Sequence, residues 1–314
     1  MKVQTVCVLG GTGFVGRALV SRLANSGCKV RVLTRHPQRR CREIEVVPNV
    51  SLLAIGDTPL AGHFKGCDAV INLVGILNEA GSQTFRGVHV ELAKRVAAAC
   101  VEAGVPRLLH MSALNADAAN GVSDYLKTKG EGEDAVHATA GLKVTSFRPS
   151  VIFGCEDSFF NRFAGLLKLA PVLPLACPEA RFQPVYVRDV AAAFAQALED
   201  ERTVGKRLEL GGPRIYTLKE LVEFTARTLG LSTLVIGLPD SVAKLQAKLM
   251  DKLPGKPFSV DNYRSLQQDS VVGGEDGFAL LGIVPHSVEG VMPRELHSRN
   301  HRGAYPGFRA SAGR

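Results

Sequence analysis

A doubly wound α/β fold, with a parallel sheet and helices on both faces, is predicted by three features of the sequence. Short apolar runs alternate with helical stretches from the first residues onward. A glycine-rich turn, Gly10-Gly11-Thr12-Gly13-Phe14-Val15-Gly16, joins the first apolar run to the first helical one. The alternation weakens after Phe153 and gives way to a mostly helical pattern, as expected of a small second lobe.

Thr5–Leu9 is continuously apolar, which suits a strand buried on both faces. Phe14–Asn25 is helical in pattern and is ended by Gly27. Residues 29–33, 50–54 and 69–74 supply the second to fourth strands. Residues 88–103 form a helix closed by Gly104 and Pro106, and Arg107–Met111 is the fifth strand. A helix over 125–139 ends at Gly141, and the sixth strand over 143–147 stops before Pro149. In the second half, helices are expected over 159–169, 187–198, 218–229 and 240–253. The third is entered through Thr217, with Glu220 in capping-box spacing. Residues 183–187 and 207–210 are expected to return to the sheet.

With 314 residues the chain is long enough for two unequal units. The organisation expected is a dinucleotide-binding domain over 1–154, a substrate lobe over 155–296 and a disordered basic tail over 297–314. No apolar run reaches the roughly 18 residues a membrane-spanning helix needs. The N-terminus reads as a buried strand rather than a signal peptide, which points to the cytosol. Seven cysteines without a C-x-x-C pair suggest neither a zinc site nor a disulfide framework, so no metal is expected. The net charge of +8 is concentrated in residues 36–42 and in the tail from Arg294. No nucleic-acid motif accompanies it, and an anionic cofactor accounts better for the first cluster.

The glycine spacing G-x-x-G-x-x-G, between a strand and a helix, is that of a Rossmann phosphate-binding turn. Gly10 permits a tight turn, Gly13 lets the backbone approach a diphosphate, and Gly16 lets the helix pack on the strand. The backbone of Thr12, Phe14 and Val15 completes the turn, and the helix N-terminus offers free N–H groups. An NAD-type site carries an acid at the end of the second strand. Here the sequence is Val32-Leu33-Thr34-Arg35-His36. Thr34 can donate to a 2′-phosphate, and Arg35 can pair with it and stack on adenine, with Arg39 or Arg40 adding charge. NADP(H) is therefore favoured over NAD(H). Asp57 is placed to accept from the adenine amino group, and Leu73, Val74 and Gly75 to border the adenine ribose.

Tyr125 and Lys129 stand at i and i+4, on one helix face. A neighbouring ammonium lowers a phenol's pKa, which suits Tyr125 to acid–base work on a carbonyl or alcohol. Lys129 is also placed to hold the nicotinamide ribose.

With these residues on the page, the chain resembles the short-chain dehydrogenase/reductase superfamily in its extended form. The resemblance rests on residues 10–16, Asp57, Tyr125 with Lys129, and the segment 148–154. More narrowly, segments 71–77, 110–114, 125–131 and 182–190 resemble the atypical branch that includes the nucleotide-binding accessory subunit of respiratory complex I and its bacterial relatives. It implies that Pro149, Val151 and Ile152 lie against the nicotinamide. Active members carry a Ser or Thr after the fifth strand; Leu114 stands there, with Ser112, two positions earlier, or Ser123 as the candidate substitute. They also carry an Asn after the fourth strand, where this chain has His89. The expectation is an oxidoreductase acting on a small carbonyl or hydroxyl substrate. The alternative is a non-catalytic cofactor-binding structural or sensing protein, in contact with a respiratory complex. Phe160, Asn161, Gln183, Tyr186 and Arg188 are the candidate substrate-pocket residues by position. The helix from Asp240 alternates Lys244, Lys248, Lys252 and Lys256 with Leu245, Leu249 and Leu253, a face suited to peripheral contact with an anionic membrane.

Overall fold

The computed structural model describes residues 3–35, 48–253 and 258–298. Arg39, Arg40, Lys256 and the basic tail from residue 299 lie outside the described residues. Seven parallel strands form the central sheet. Six come in chain order: β1 (Thr5–Leu9), β2 (Lys29–Thr34), β3 (Val50–Ala54), β4 (Ala69–Asn72), β5 (Arg107–Met111) and β6 (Lys143–Pro149). The seventh is Arg207–Leu210, which pairs with β6 at one edge. From that edge inward the order is Arg207–Leu210, β6, β5, β4, β1, β2, β3. The direction of winding reverses between β1 and β4, and a crevice opens there beyond the strands' carboxyl ends.

The apolar runs form central strands because both of their faces are covered. Val6, Cys7, Val8 and Leu9 of β1 are all buried. On one face, Val6 and Val8 join Leu19 and Leu23 of α1 (Phe14–Asn25). On the other, Cys7 and Leu9 join Phe64 of α2 (Leu60–Phe64) and Val96 and Cys100 of α3 (Leu92–Glu102). α4 (Asp124–His137) carries Tyr125. The helix expected over 88–103 is in fact two pieces. Arg86–Glu91 is a π-helical turn, and only Leu92–Glu102 is α-helical. Hydrophobic periodicity alone does not register such a widened turn.

Two placements in the second half differ from expectation. The helix Val187–Ala197 packs against α1 on the sheet, through residues such as Phe194, rather than on the small lobe. The segment before it does not return to the central sheet. Val185–Tyr186 pairs instead with Ile152–Phe153 in a separate two-stranded ribbon. A short apolar segment specifies burial but not which partner strand receives it. The return of Arg207–Leu210 to the sheet is seen. The capping box is present: Glu220 N–H donates to Thr217 Oγ1 at 3.1 Å, and Thr217 N–H to Glu220 Oε2 at 2.7 Å.

Most of the remaining helices gather around three further apolar clusters, while Phe278 and Leu281 of the helix Gly277–Leu281 join the sheet core. One cluster contains Phe153, Phe160, Tyr186 and Leu221, the second Leu167, Leu173, Val222 and Val235, and the third Ala243, Ala247 and Tyr263. Among the described residues no helix is long and apolar enough to cross a membrane. Nor, among them, does any group of three His, Cys, Asp or Glu converge as metal ligands do.

Candidate cofactor cleft and active site

The glycine turn sits at the switch between β1 and β4. Gly10 has φ +78°, and a Cβ there would stand 3.2 Å from the Leu73 carbonyl carbon. At Gly16 a Cβ would stand 2.2 Å from Gly10 O and 2.6 Å from the Gly11 backbone. Only glycine permits this closeness. Gly13 is the extended N-cap of α1, and no side chain caps the helix. The N–H groups of the first turn therefore lack intrahelical acceptors, and the helix dipole adds partial positive charge. Such a cradle fits a diphosphate. Arg17 was not anticipated. Its Nη1 donates to Thr12 O at 3.1 Å and its Nη2 pairs with Glu156, tying the turn to the segment after β6. Its position directly after the third glycine is the signal sequence reading passed over.

Thr34 ends β2, and Ile55 N–H donates to its carbonyl at 3.0 Å, so the ends of β2 and β3 lie together. Asp57, two residues on, is exposed. Arg35 is exposed too, and its guanidinium meets the side-chain carbonyl of Gln83 at 2.6 Å. Leu73 N–H donates to Leu9 O at 3.0 Å, which holds residues 73–75 beside the glycine turn. Pro149 ends β6; Val151 and Ile152 follow, half-buried.

The start of α4 is held by two groups. Ser123 Oγ accepts from Leu126 N–H at 3.2 Å. Asp261, in the helix Val260–Ser265 of the other lobe, accepts from Asp124 N–H at 2.7 Å and from Tyr125 N–H at 3.2 Å. No local sequence pattern marks Asp261, because its partners lie so far back in the chain. One turn further on, Lys129 is buried and donates from Nζ to Met111 O at 2.6 Å. Burial pushes its pKa down to about 8. A Cβ on Gly75 would stand 3.6 Å from this ammonium and 3.8 Å from His89 Nε2, so both groups face the backbone that follows β4.

Tyr125 is half-buried, edge-on to the rings of His89 and Phe85 at 5.5 Å and 6.1 Å. Its hydroxyl makes no hydrogen bond among the described residues. Its pKa is raised to about 12, by burial first and by the Asp261 carboxylate second. This reverses the lowering expected from Lys129. The ammonium is engaged by the Met111 carbonyl, and the loss of solvent, with the Asp261 charge second, prevails.

His89 has a defined protonation state. Thr128 Oγ1 has a single proton, which it donates to the Asp124 carbonyl at 2.7 Å or the Tyr125 carbonyl at 3.1 Å. It must therefore accept from His89 Nδ1–H, at 3.0 Å. His89 Nε2 accepts from Ile76 N–H at 3.2 Å. The ring is neutral and protonated at Nδ1, and burial, reinforced by Lys129, lowers its pKa to about 3. It joins the segment after β4 to α4, and does no acid–base work. The two hydroxyl candidates differ. Ser112 is buried and its Oγ has no hydrogen-bond partner among the described residues, while Leu114, buried, takes the position after β5. Ser123 is committed to capping α4 and to Ser265 Oγ at 2.8 Å.

Three substrate-pocket candidates serve the fold instead. Phe160 is fully buried against Phe153. Asn161 Nδ2 donates to the carbonyls of Cys155 and Asp157. Gln183 bridges Gly212 O and Val272 N–H. Tyr186 is buried with its ring edge-on to His286, and Arg188 is exposed. Position in the sequence could not separate lobe core from lobe surface. The space beside the Tyr125 helix is a cavity of about 530 Å³ between the lobes, lined in part by Phe85, Arg86, Lys127, Thr128, Asp261 and Arg264.

A doubly wound sheet, a glycine turn at its switch point and a Tyr–Lys pair one turn apart define an extended short-chain dehydrogenase/reductase. Residues 6–211 match the NAD dependent epimerase/dehydratase family, and the chain belongs to it. Membership supports binding of a nicotinamide dinucleotide. The 40 kDa subunit of mitochondrial NADH-ubiquinone oxidoreductase from Neurospora crassa is 29% identical over 310 residues, covering 96% of this chain and 81% of the relative. Subunit 9 of the mitochondrial NADH dehydrogenase (ubiquinone) 1 alpha subcomplex from Arabidopsis thaliana is 30% identical, with coverages of 96% and 79%. A ceramide reductase from Caulobacter vibrioides is 33% identical over 267 residues, 78% of this chain and 77% of the relative. Among solved structures, MoeE5 in complex with UDP-glucose and NAD superposes with a TM-score of 0.72 at 20% identity, over 95% of this chain and 99% of its own. At that identity the likeness is one of fold.

Proposed function

We propose that the chain holds NADP(H) at the β1–β4 switch and reduces a small carbonyl compound, with Tyr125 as proton donor. The observation that carries this reading is the Tyr125 hydroxyl, without a hydrogen-bond partner among the described residues, one turn from an ammonium that faces the cleft. The first turn of α1 would hold the diphosphate, Thr34 and Arg35 the 2′-phosphate, and Asp57 the adenine amino group. When bound, the nicotinamide supplies a hydride. Tyr125, a phenol protonated at neutral pH, gives its proton to the carbonyl oxygen as alkoxide character develops there. An alkoxide is more basic than a phenolate, so that transfer runs downhill, and the reductive direction suits this tyrosine better than the oxidative one. Lys129 steadies the phenolate left behind and is placed to hold the nicotinamide ribose. Tyr125→Phe is expected to lower turnover of a responsive carbonyl substrate by about 10²–10⁴-fold, with NADPH affinity unchanged. Undiminished turnover would remove Tyr125 from the reaction.

NADP(H) is preferred over NAD(H) on the absence of an acid at the end of β2. Arg35→Ala is expected to weaken NADP⁺ in calorimetric titration by about tenfold or more, the loss of a charge-assisted pair, while leaving NAD⁺ nearly unaffected. Equal losses for both dinucleotides would refute the preference.

The second reading, a cofactor-binding protein without turnover, is favoured by Leu114. A leucine at that position supplies no hydroxyl to share the developing charge, a loss that can reach a few kcal/mol. Bound cofactor would then stabilise the fold by mass action. NADPH that co-purifies and is oxidised by no added carbonyl compound would decide for it. The relatives' names include subunits of NADH-ubiquinone oxidoreductase and the word mitochondrial. We accordingly place the chain at the periphery of a respiratory membrane, rather than free in the cytosol as its N-terminus suggested.

A further inference from the structure

The small lobe turns an unusual amount of apolar surface outward. The strands Val172–Leu175 and Leu234–Gly237 pair in parallel, with Leu234 opposite Val172 and Ile236 opposite Pro174. Their inward residues Leu173, Leu175 and Val235 are buried. All four of the paired outward residues just named are apolar and exposed, and Leu169, just ahead, is 82% exposed. The ribbon thus has no polar face, although a two-stranded ribbon on a protein surface normally keeps one for water.

The helix Asp240–Met250 follows directly from this ribbon, and its amphipathicity is inverted. The residues it buries are the small Ala243 and Ala247. The residues it exposes include Val242, Leu245 and Leu249, at i, i+3 and i+7 on one face, with Leu253 continuing the line just beyond. Lys244, Lys248 and Lys252, spaced i, i+4 and i+8, form a ridge along one side of that line. All three are exposed and make no ion pair among the described residues. The helix's acid Asp240 accepts instead from the Tyr263 hydroxyl.

We propose that this ribbon face and helix form a docking surface for an anionic phospholipid bilayer. The leucine line would enter the boundary between headgroups and acyl chains, while the lysine ridge lies among anionic headgroups. An apolar protein partner would have no use for the ridge; an anionic lipid surface uses both. Isolated exposed leucines need no explanation, but a whole ribbon face followed by a whole helix face marks a site of contact. The inference narrows the peripheral placement proposed above to one surface and does not depend on catalysis.

The test is co-sedimentation of the full chain with vesicles of phosphatidylcholine alone, or of phosphatidylcholine mixed with phosphatidylglycerol. The chain should pellet with the mixed vesicles only, and less as salt is raised. Reversing the ridge (K244E, K248E and K252E together) should lower partition on the order of a hundredfold, since each lysine near such a surface contributes about 1 kcal/mol. Leu245→Ser with Leu249→Ser, and separately Leu234→Thr with Ile236→Thr, should each lower it about tenfold or more. The second pair keeps strand-compatible side chains, so it serves if the first does not fold. NADP⁺ affinity should be unchanged in every folded variant, which keeps failure here apart from failure of the cofactor reading. No pelleting, equal pelleting with both vesicles, or pelleting indifferent to the ridge would overturn the proposal. So would self-association abolished by the leucine variants, which would assign the face to a second copy of the chain.

Discussion

Replacing Gly16 with alanine is expected to abolish cofactor binding and to destabilise the fold by about 3 kcal/mol, at the upper end of what forced overpacking costs. The added Cβ would stand 2.2 Å from Gly10 O and 2.6 Å from the Gly11 backbone. Neither neighbour is a flexible side chain that can swing aside. The helix must lift from the strand or the turn must open, and either movement takes the N–H groups of the first turn away from the diphosphate. Gly27→Ala is the control. Gly27, unlike Gly16, has a positive φ, +88°, but nothing lies within 4 Å of its Cβ position. It should show only the backbone cost, about 1–2 kcal/mol, and bind NADP⁺ as the parent does. Denaturant melts and calorimetry read the two effects separately. If Gly16→Ala binds NADP⁺ normally, the phosphate site lies elsewhere.

Glu133→Gln should destabilise the protein by about 3 kcal/mol, and should also lower the Lys129 pKa further, because the Glu133 carboxylate supports that ammonium. Glu133 is fully buried on α4, and the Arg148 side chain of β6 is 19% exposed. Arg148 donates to it from Nε at 2.9 Å and from Nη2 at 2.6 Å. Removing the charge leaves a guanidinium confined near the sheet without its counter-ion. Its partial exposure and the nearby Asp134 and Glu209 carboxylates keep the loss at the lower end of the range for buried pairs. A double variant, Glu133→Leu with Arg148→Met, should recover much of the stability, because the desolvation cost vanishes along with the attraction. If the single variant melts as the parent does, the pair does not anchor α4.

The sheet was legible because burial on both faces leaves a plain mark, a continuous apolar run such as Thr5–Leu9, and because the glycine turn has few other uses. The Tyr125–Lys129 spacing was legible for the same reason, being local. What surrounds that pair was not. The raised Tyr125 pKa depends first on burial and then on Asp261, and Lys129's engagement on the Met111 carbonyl; all of these arrive by folding, not by adjacency. The locked His89 ring depends on a π-helical turn that hydrophobic period cannot reveal. Position likewise misassigned Phe160 and Gln183, because a second lobe of short ribbons carries no repeating pattern to say which side chains turn inward. Arg17 is a different case: it stood beside the motif and was visible, but a salt bridge to Glu156 has no signature in spacing.

The cap that Asp261 places on α4 also bears on the order in which the protein comes together. The amide of Tyr125 waits for an acceptor 136 residues downstream. Until that carboxylate has been synthesised and docked, the N–H groups of Asp124 and Tyr125 lack their acceptor, and only the local Ser123 cap holds the opening turn of the helix. A nascent chain that has completed only its sheet would therefore carry its key phenol on a loose end. The turn that carries Tyr125 is thus completed across the two halves of the chain, and a product truncated before Asp261 is expected to hold that turn less firmly.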